Sequence, residues 1–327
     1  MTRRAVLALG VLLIAAVLGG CSTDQYARKL IEQDTSYGKI NEAMMGSSEQ
    51  LRKRGKIFAG ARHAMPDGTE IDAWVLKASG GQDDSLRGTV GVLHGLCDSK
   101  VTYMRIARDL NRKGFDVVLI DLRAHGRSSG KQVTYGALEK HDVKRVLDRL
   151  VTEKTIAEPL YLMGKSIGAA TAIQCAAIEP RIRGVVALAP YRDMRSVCWR
   201  FFKTRIAPFM SQEDFEKVLA RAGQIGKFDP AEASTLDAIR KVRCPVLLMH
   251  GRLDTIVPHE DSQALYAAAT GPKALEVVPY LGHVGLLFGR EAKVVEAVEQ
   301  VASGTLPIST TQPAEDEAPA TQPAEGD

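Results

Sequence analysis

Short apolar runs alternate with helix-patterned stretches through most of the chain. Val117–Ile120, Leu160–Met163, Val185–Leu188 and Val246–Met249 are apolar on successive positions, which suits parallel strands covered by helices on both faces. Thr89–Leu93 reads the same way, Cys244–Gly251 extends the run at Val246, and Leu275–Pro279 is the last of the series. Between them, Tyr135–Thr152 carries Val143, Val146, Leu147, Leu150 and Val151, the spacing of one buried helix face. Ahead of the series, Lys56–Ala64 and Glu70–Lys77 flank Met65-Pro66-Asp67-Gly68-Thr69, which predicts an antiparallel hairpin. The expected fold is α/β: a mostly parallel eight-stranded sheet with an antiparallel start and helices on both faces.

Between Ala189 and Val246 lie too many residues for a simple crossover. Ser211 and Asp214 form a capping pattern, followed by a Phe215, Val218, Leu219, Ala222 stripe that ends at Gly223. Residues 191–233 are therefore expected to form a small helical lid, with Trp199, Phe201 and Phe202 facing an acyl or aryl group. Helices that merely pack on the core are the alternative. Arg192, Arg195, Arg200, Lys203 and Arg205 stand against one acid, Asp193; a solvated lid face accounts for them, as would an anionic substrate or headgroup.

A length of 327 residues allows one large α/β domain, 56–302, plus extensions. Arg3 and Arg4 precede Ala5–Gly20, an uncharged stretch of 16 residues. That is short of the about 20 residues a spanning helix needs and has the n-region and h-region of a secretory signal. Leu18-Gly19-Gly20-Cys21 resembles the bacterial lipobox. The resemblance implies a signal peptide over 1–20, diacylation of Cys21, and a protein lipid-anchored in the bacterial cell envelope; which membrane holds it is left open. Residues 21–55 read as a polar spacer with some helix. Residues 303–327 repeat Thr-Gln-Pro-Ala-Glu, carry five acids and no base, and are expected to be disordered.

Composition removes several classes. The formal charge of +4 falls to +2 without Arg3 and Arg4, so nothing points to nucleic acid. Of five cysteines, Cys21 belongs to the anchor, Cys175 and Cys244 read as buried thiols, and Cys97 with Cys198 is a candidate bridge. No spacing suggests a metal, and no cofactor is expected.

The chemistry concentrates at Gly164-Lys165-Ser166-Ile167-Gly168, between an apolar run and a small-residue helix, Ala169–Ala177. A serine between two glycines at a strand-to-helix turn holds its Oγ clear of the sheet. The hydroxyl needs a base, and the base an orienting acid. In this design the acid precedes the histidine, each on a loop after a later strand. Asp254 follows Cys244–Gly251, and His283 lies in the glycine-flanked loop after Leu275–Pro279. Asp193 is the rival acid. His259 is too close to Asp254 in sequence to bridge it to a distant serine. An oxyanion hole needs two backbone donors: the Ile167 N–H is one, and the loop His94-Gly95-Leu96 after Thr89–Leu93 fits the other.

His94-Gly95, Asp121–Ser128, Gly164–Gly168, His250–Asp254 and Gly282-His283 together resemble the α/β-hydrolase superfamily in order and spacing, over about residues 57–302. The nearest flavour is the esterase, monoacylglycerol-lipase and serine-aminopeptidase-like branch. The resemblance implies that Leu96 supplies the second oxyanion N–H and that Asp121–Ser128 braces the site. Lys165 departs from the histidine, aromatic or glutamate of many relatives. Relatives that act on haloalkanes or epoxides carry aspartate where Ser166 stands. The expected activity is that of a carboxylesterase on small or medium acyl esters. An aminopeptidase or amidase using the same triad is the alternative, and an idle hydrolase fold used as a binding module is the third reading.

Overall fold

The hairpin forms as expected: β1 (Ala59–Ala64) pairs antiparallel with β2 (Glu70–Leu76), Ala61 opposite Ala73. Gly68 turns it at a φ of +82°, a conformation that costs glycine nothing. The computed structural model describes residues 22–32, 36–45, 48–54, 56–78, 86–287 and 289–307. The expected signal peptide, Cys21 and the tail from residue 308 lie outside the described residues.

Six more strands follow: β3 (Thr89–Leu93), β4 (Asp116–Ile120), β5 (Leu160–Lys165), β6 (Ile182–Leu188), β7 (Val246–Gly251) and β8 (Lys273–Val278). The sheet runs β1-β2-β4-β3-β5-β6-β7-β8, antiparallel through β4 and parallel from there. Every residue of β3, β4 and β5 is buried, which explains why those strands read as unbroken apolar runs. Helices Met104–Arg112 and Glu291–Ser303 cover one face with Trp74, Phe115 and Val92 in its core. Helices Glu139–Thr152 and Ile167–Ala176 cover the other with Val143, Leu147 and Ile173.

The helix expected from Tyr135 begins at Glu139. The Glu139 carboxylate accepts bonds from Thr134 N, Thr134 Oγ1 and Gly136 N. It thereby holds 134–136 in a turn with positive φ at Tyr135 and Gly136. A side chain four positions downstream sets that boundary, and periodicity does not register it.

The insertion after β6 is helical: Met194–Phe201, a π-turn Phe202–Ile206, Gln212–Gly226, and a short helix Thr235–Ile239. Ser211 caps the second, accepting from Asp214 N at 3.0 Å. That helix runs past Gly223 to a left-handed cap at Lys227. Gly223 serves packing instead, since a Cβ there would lie 2.7 Å from the Phe228 carbonyl and from Pro230.

The stretch expected as a spacer is docked. Helix Thr23–Ile31 opens with a Ser22/Gln25 capping box and buries Ala27, Leu30 and Ile31 completely. Its partners include helix Gln212–Gly226, where Arg221 pairs with Asp24 at 2.7 and 2.9 Å, and Tyr26 meets the Phe202 ring edge-on at 5.8 Å. The Ile31 carbonyl accepts from Val133 N at 2.7 Å. Burying Leu30 and Ile31 is worth about 1.5–3 kcal/mol each. Polar composition concealed this face, because only three of nine helical residues carry it. Among the described residues no helix is long and apolar enough to cross a membrane.

Candidate active site

Ser166 sits between the end of β5 and the helix Ile167–Ala176, at φ +54° and ψ −116°. A non-glycine residue in that region costs on the order of 1–3 kcal/mol and persists only where its surroundings enforce it. Ser166 N donates to the Leu188 carbonyl on β6 at 2.8 Å, and the Ser166 carbonyl accepts from Ala170 N at 3.0 Å. Both flanking glycines are dictated by contact: a Cβ on Gly164 would fall 2.3 Å from Gly168, and one on Gly168 2.3 Å from the Leu93 carbonyl. The turn is closed against β3 so tightly that no side chain fits on either flank.

Asp254 and His283 come together from the loops after β7 and β8, with His283 Nδ1 2.6 Å from Asp254 Oδ2. Asp254 Oδ1 accepts from Ile256 N and Val257 N, both at 2.9 Å. Burial alone would raise the Asp254 pKa, but the bonds from His250, His283 and the Val257 N–H outweigh it and hold the carboxyl well below the usual range. His250 is the partner that sequence reasoning left inside a motif without a role. It is fully buried, with Nε2 2.9 Å from the Val257 carbonyl and 3.3 Å from Asp254, and Nδ1 2.6 Å from Ser262 Oγ. Carbonyls only accept, so Nε2 carries the proton and Ser262 donates to Nδ1. The two loops themselves are pressed together, since a Cβ on Gly251 would lie 2.3 Å from the Leu281 carbonyl.

The rival residues are elsewhere employed. Asp193 caps the helix Met194–Phe201, accepting from Ser196 N at 2.7 Å. His259 opens the helix His259–Ala268 and pairs with Glu260.

The loop His94–Leu96 is held by two buried histidines. His94 Nε2 accepts from Leu122 N at 3.0 Å, so its Nδ1 donates to the Gly95 carbonyl at 2.7 Å. His125 Nε2 accepts from Cys97 N at 3.3 Å, and its Nδ1 donates to the Arg123 carbonyl at 2.8 Å. Lys100 binds Asp121 through both its backbone N–H and its ammonium. These bonds tie the loop after β3 to the Asp121–Ser128 loop after β4.

A cavity of about 320 Å³ opens over the serine; Leu96, Ser166, Ile167, Phe201 and His283 all line it. Ser166 and His283 share that wall, and among the described hydrogen bonds none joins them directly. Such bonds are often long without substrate and tighten when it binds. Trp199 and Phe202, expected to face the acyl group beside Phe201, do not line the cavity. Their rings pack on Phe215 at 5.1 and 5.8 Å, and Phe202 is wholly buried. On a helix, successive residues face different directions, so only one of the adjacent phenylalanines looks inward. Among the described residues no disulfide joins Cys97 to Cys198.

A family model described as serine aminopeptidase, S33, matches residues 84–219, the stretch from β3 through the elbow into the insertion. The uncharacterized protein YqkD of Bacillus subtilis is 28% identical over 198 residues, spanning 58% of this chain and 62% of its own length. The uncharacterized protein YfhR of Escherichia coli is 24% identical over 234 residues, 70% of this chain and 74% of its own. Among solved structures, the Pyrococcus furiosus esterase Pf2001 superposes with a TM-score of 0.59 at 23% identity, covering 77% of this chain and 93% of that one. The Paleococcus ferrophilus monoacylglycerol lipase does so at 0.51 and 23%, covering 72% and 99%. The chain has the α/β-hydrolase fold. Its hydrolase fold accounts for the strand order and for the elbow after β5.

Proposed function

We propose that the protein is a serine hydrolase, most simply a carboxylesterase acting on small or medium acyl esters. The observation that carries the reading is the Asp254–His283 pair opening onto the same cavity as a serine held at positive φ. His283 takes the Ser166 proton as Oγ bonds to the carbonyl carbon, and the carbonyl electron pair moves onto oxygen. The N–H groups of Leu96 and Ile167 stabilise that oxyanion. Collapse expels the leaving alkoxide, which takes the proton back from the imidazolium. A water then repeats the sequence on the acyl-enzyme, releasing the acid and restoring the serine. The bond to Asp254 fixes the imidazole so that Nε2 faces the serine and stabilises its charged form.

The aminopeptidase reading rests on the description of the matched family. It uses the same triad but needs an acidic group for a free amine. Asp98 is the carboxylate on the cavity wall, and it already accepts from Ser99 N and Thr102 Oγ1. A fluorophosphonate probe tests the enzyme against an idle binding module: it labels Ser166 and not the Ser166→Ala protein. A panel of acyl esters against aminoacyl amides separates the two activities, with turnover of esters expected.

The anchor belongs to the same proposal. Leu18–Cys21 supports a mature protein that begins at acylated Cys21 and is held at the cell envelope, with Ser22 and the docked helix Thr23–Ile31 directly following. Mass spectrometry of the mature amino terminus decides this, and an unmodified terminus elsewhere rejects it.

A further inference from the structure

The cavity over Ser166 combines apolar walls with unneutralised positive charge. Lys165, Arg200 and Arg205 all line it, and Asp98 is the one carboxylate on the wall among the described residues. Lys165 is only 8% exposed, and among the described residues its ammonium has no hydrogen bond or ion pair. Asp98 and Asp254 act on it only through space; Asp98 Oδ1 accepts from Ser99 N and Thr102 Oγ1, and both Asp254 oxygens are engaged by His283 and backbone N–H groups. The guanidinium groups of Arg200 and Arg205, at the exposed rim, are likewise without an ion pair among the described residues. Other basic residues of the same insertion are paired: Arg192 with Asp261, Arg195 with Glu216, Arg221 with Asp24. Among the described residues, neither arginine of the insertion that lines the cavity has such a carboxylate partner.

A lysine largely removed from water whose ammonium meets only the cavity pays a desolvation cost, and proteins normally pair such a charge. The cost is removed when a bound anion supplies the missing charge. We infer that the cavity recognises anionic esters: an apolar segment lying along Val197 and Phe201, with a carboxylate or phosphate held by Lys165 and steered by Arg200 and Arg205. Lys165 is next to the nucleophile in the chain, so the anion binds close to the reacting carbonyl. Burial pushes the Lys165 pKa down, and an arriving anion reverses that push. The inference rests on the serine-hydrolase reading of the same site and names its substrate class.

The test compares matched esters: p-nitrophenyl hexanoate against the mono-p-nitrophenyl ester of adipic acid, which differ only in a terminal carboxylate. The wild-type protein should favour the anionic ester in kcat/KM by about ten- to hundredfold, the range of one charge-assisted hydrogen bond. Lys165→Met should lower that ratio about tenfold. Arg200→Gln with Arg205→Gln should lower it in low salt and leave little further salt dependence, since exposed charges are screened and buried ones are not. Because the ratio is read within each variant, a general loss of turnover does not imitate the effect; if Lys165→Met fails to fold, the arginine pair and the salt series carry the test. Monoacylglycerol against its phosphate, in mixed micelles, repeats the comparison for lipids. A preference in the soluble pair alone identifies a free anionic ester, one in the lipid pair a lipid phosphate, and both support the inference. Equal or neutral-favouring ratios in both pairs overturn it, as does a preference that survives all three substitutions. Titration of both esters into Ser166→Ala reads binding without turnover. Anion-selective binding with no wild-type turnover would reject the hydrolase reading and keep the anion site, whereas turnover without selectivity would do the reverse.

Discussion

His283 Nδ1 and Asp254 Oδ2 lie 2.6 Å apart although 29 residues separate them in the chain, and the contact exists only because β7 and β8 end side by side. It leaves Nε2 as the imidazole atom available to Ser166. Ser166→Ala and His283→Ala should each lower kcat on p-nitrophenyl acetate by roughly 10⁴–10⁶-fold, and the double variant should be little worse than either. Asp254→Asn should be milder, about 10⁴-fold. Activity within tenfold of wild type in Ser166→Ala would remove the nucleophile assignment.

Gly168 and Gly95 make a contrasting pair. A Cβ on Gly168 meets the Leu93 carbonyl at 2.3 Å, backbone that cannot yield without opening the elbow from β3, whereas one on Gly95 makes ordinary contacts at 3.8 and 3.9 Å. Gly168→Ala should cost about 3 kcal/mol or more and abolish fluorophosphonate labelling. Gly95→Ala should change the urea midpoint little while altering kcat, because the nearer new contacts are Lys165 and Ser166.

Adjacent phenylalanines should separate selectivity from stability. Phe201 lines the cavity and Phe202 is buried against Tyr26 and Phe215. Phe201→Ala should shift the acyl-length optimum of kcat/KM, each buried methylene being worth about 0.8 kcal/mol, with a small change in Tm. Phe202→Ala should lose about 3–5 kcal/mol of stability and keep the acyl profile. A uniform loss across chain lengths in Phe201→Ala would count against Phe201 as a selectivity element.

The docked amino-terminal helix is tested by Leu30→Ala. Complete burial of Leu30 predicts a loss of about 2–5 kcal/mol in chemical denaturation. A solvated spacer predicts no change, so an unaltered midpoint would undo the packing of Thr23–Ile31 on the insertion.

Acid sensitivity should appear at Glu179, on the connection from the elbow helix to β6. Side-chain hydrogen bonds from Arg181 push its carboxyl down to about 2, against the opposing effect of burial, with Lys144 and the Arg181 N–H adding to the shift. The folded value lies below the unfolded one, near 4.3, so the contribution is complete above about pH 4.3 and is lost as pH falls toward about 2. Urea unfolding of wild type and Glu179→Gln should differ by a constant amount from pH 5 to 7 and converge below about pH 4. A gap that widens toward acid would contradict this sign.

Local chemistry was legible along the chain wherever it follows from neighbours in sequence. Gly164-Lys165-Ser166-Ile167-Gly168 after an apolar run specifies its turn, because the steric demand is met within five residues. The β3, β4 and β5 runs specify buried parallel strands, because two covered faces confine polar residues to the strand ends, Thr89, Asp116 and Lys165. The order acid before histidine nominated Asp254 and His283. Tertiary structure alone decided what depends on direction or on distant partners. Which of Phe201 and Phe202 faces the cavity follows from the rotation of one helix against Phe215 and Tyr26. Three buried residues among polar ones turn 23–31 into part of the packed body through a helix nearly two hundred residues away. The role of His250 depends on Ser262 and Val257 folding back over β7. Arg200 and Arg205 already stood in one basic stretch of the sequence; Lys165 joined them only when the elbow and the insertion met around one cavity. Periodicity and motif report what a residue can do locally; a partner's absence, which leaves a charge available to a ligand, exists only once the chain has folded.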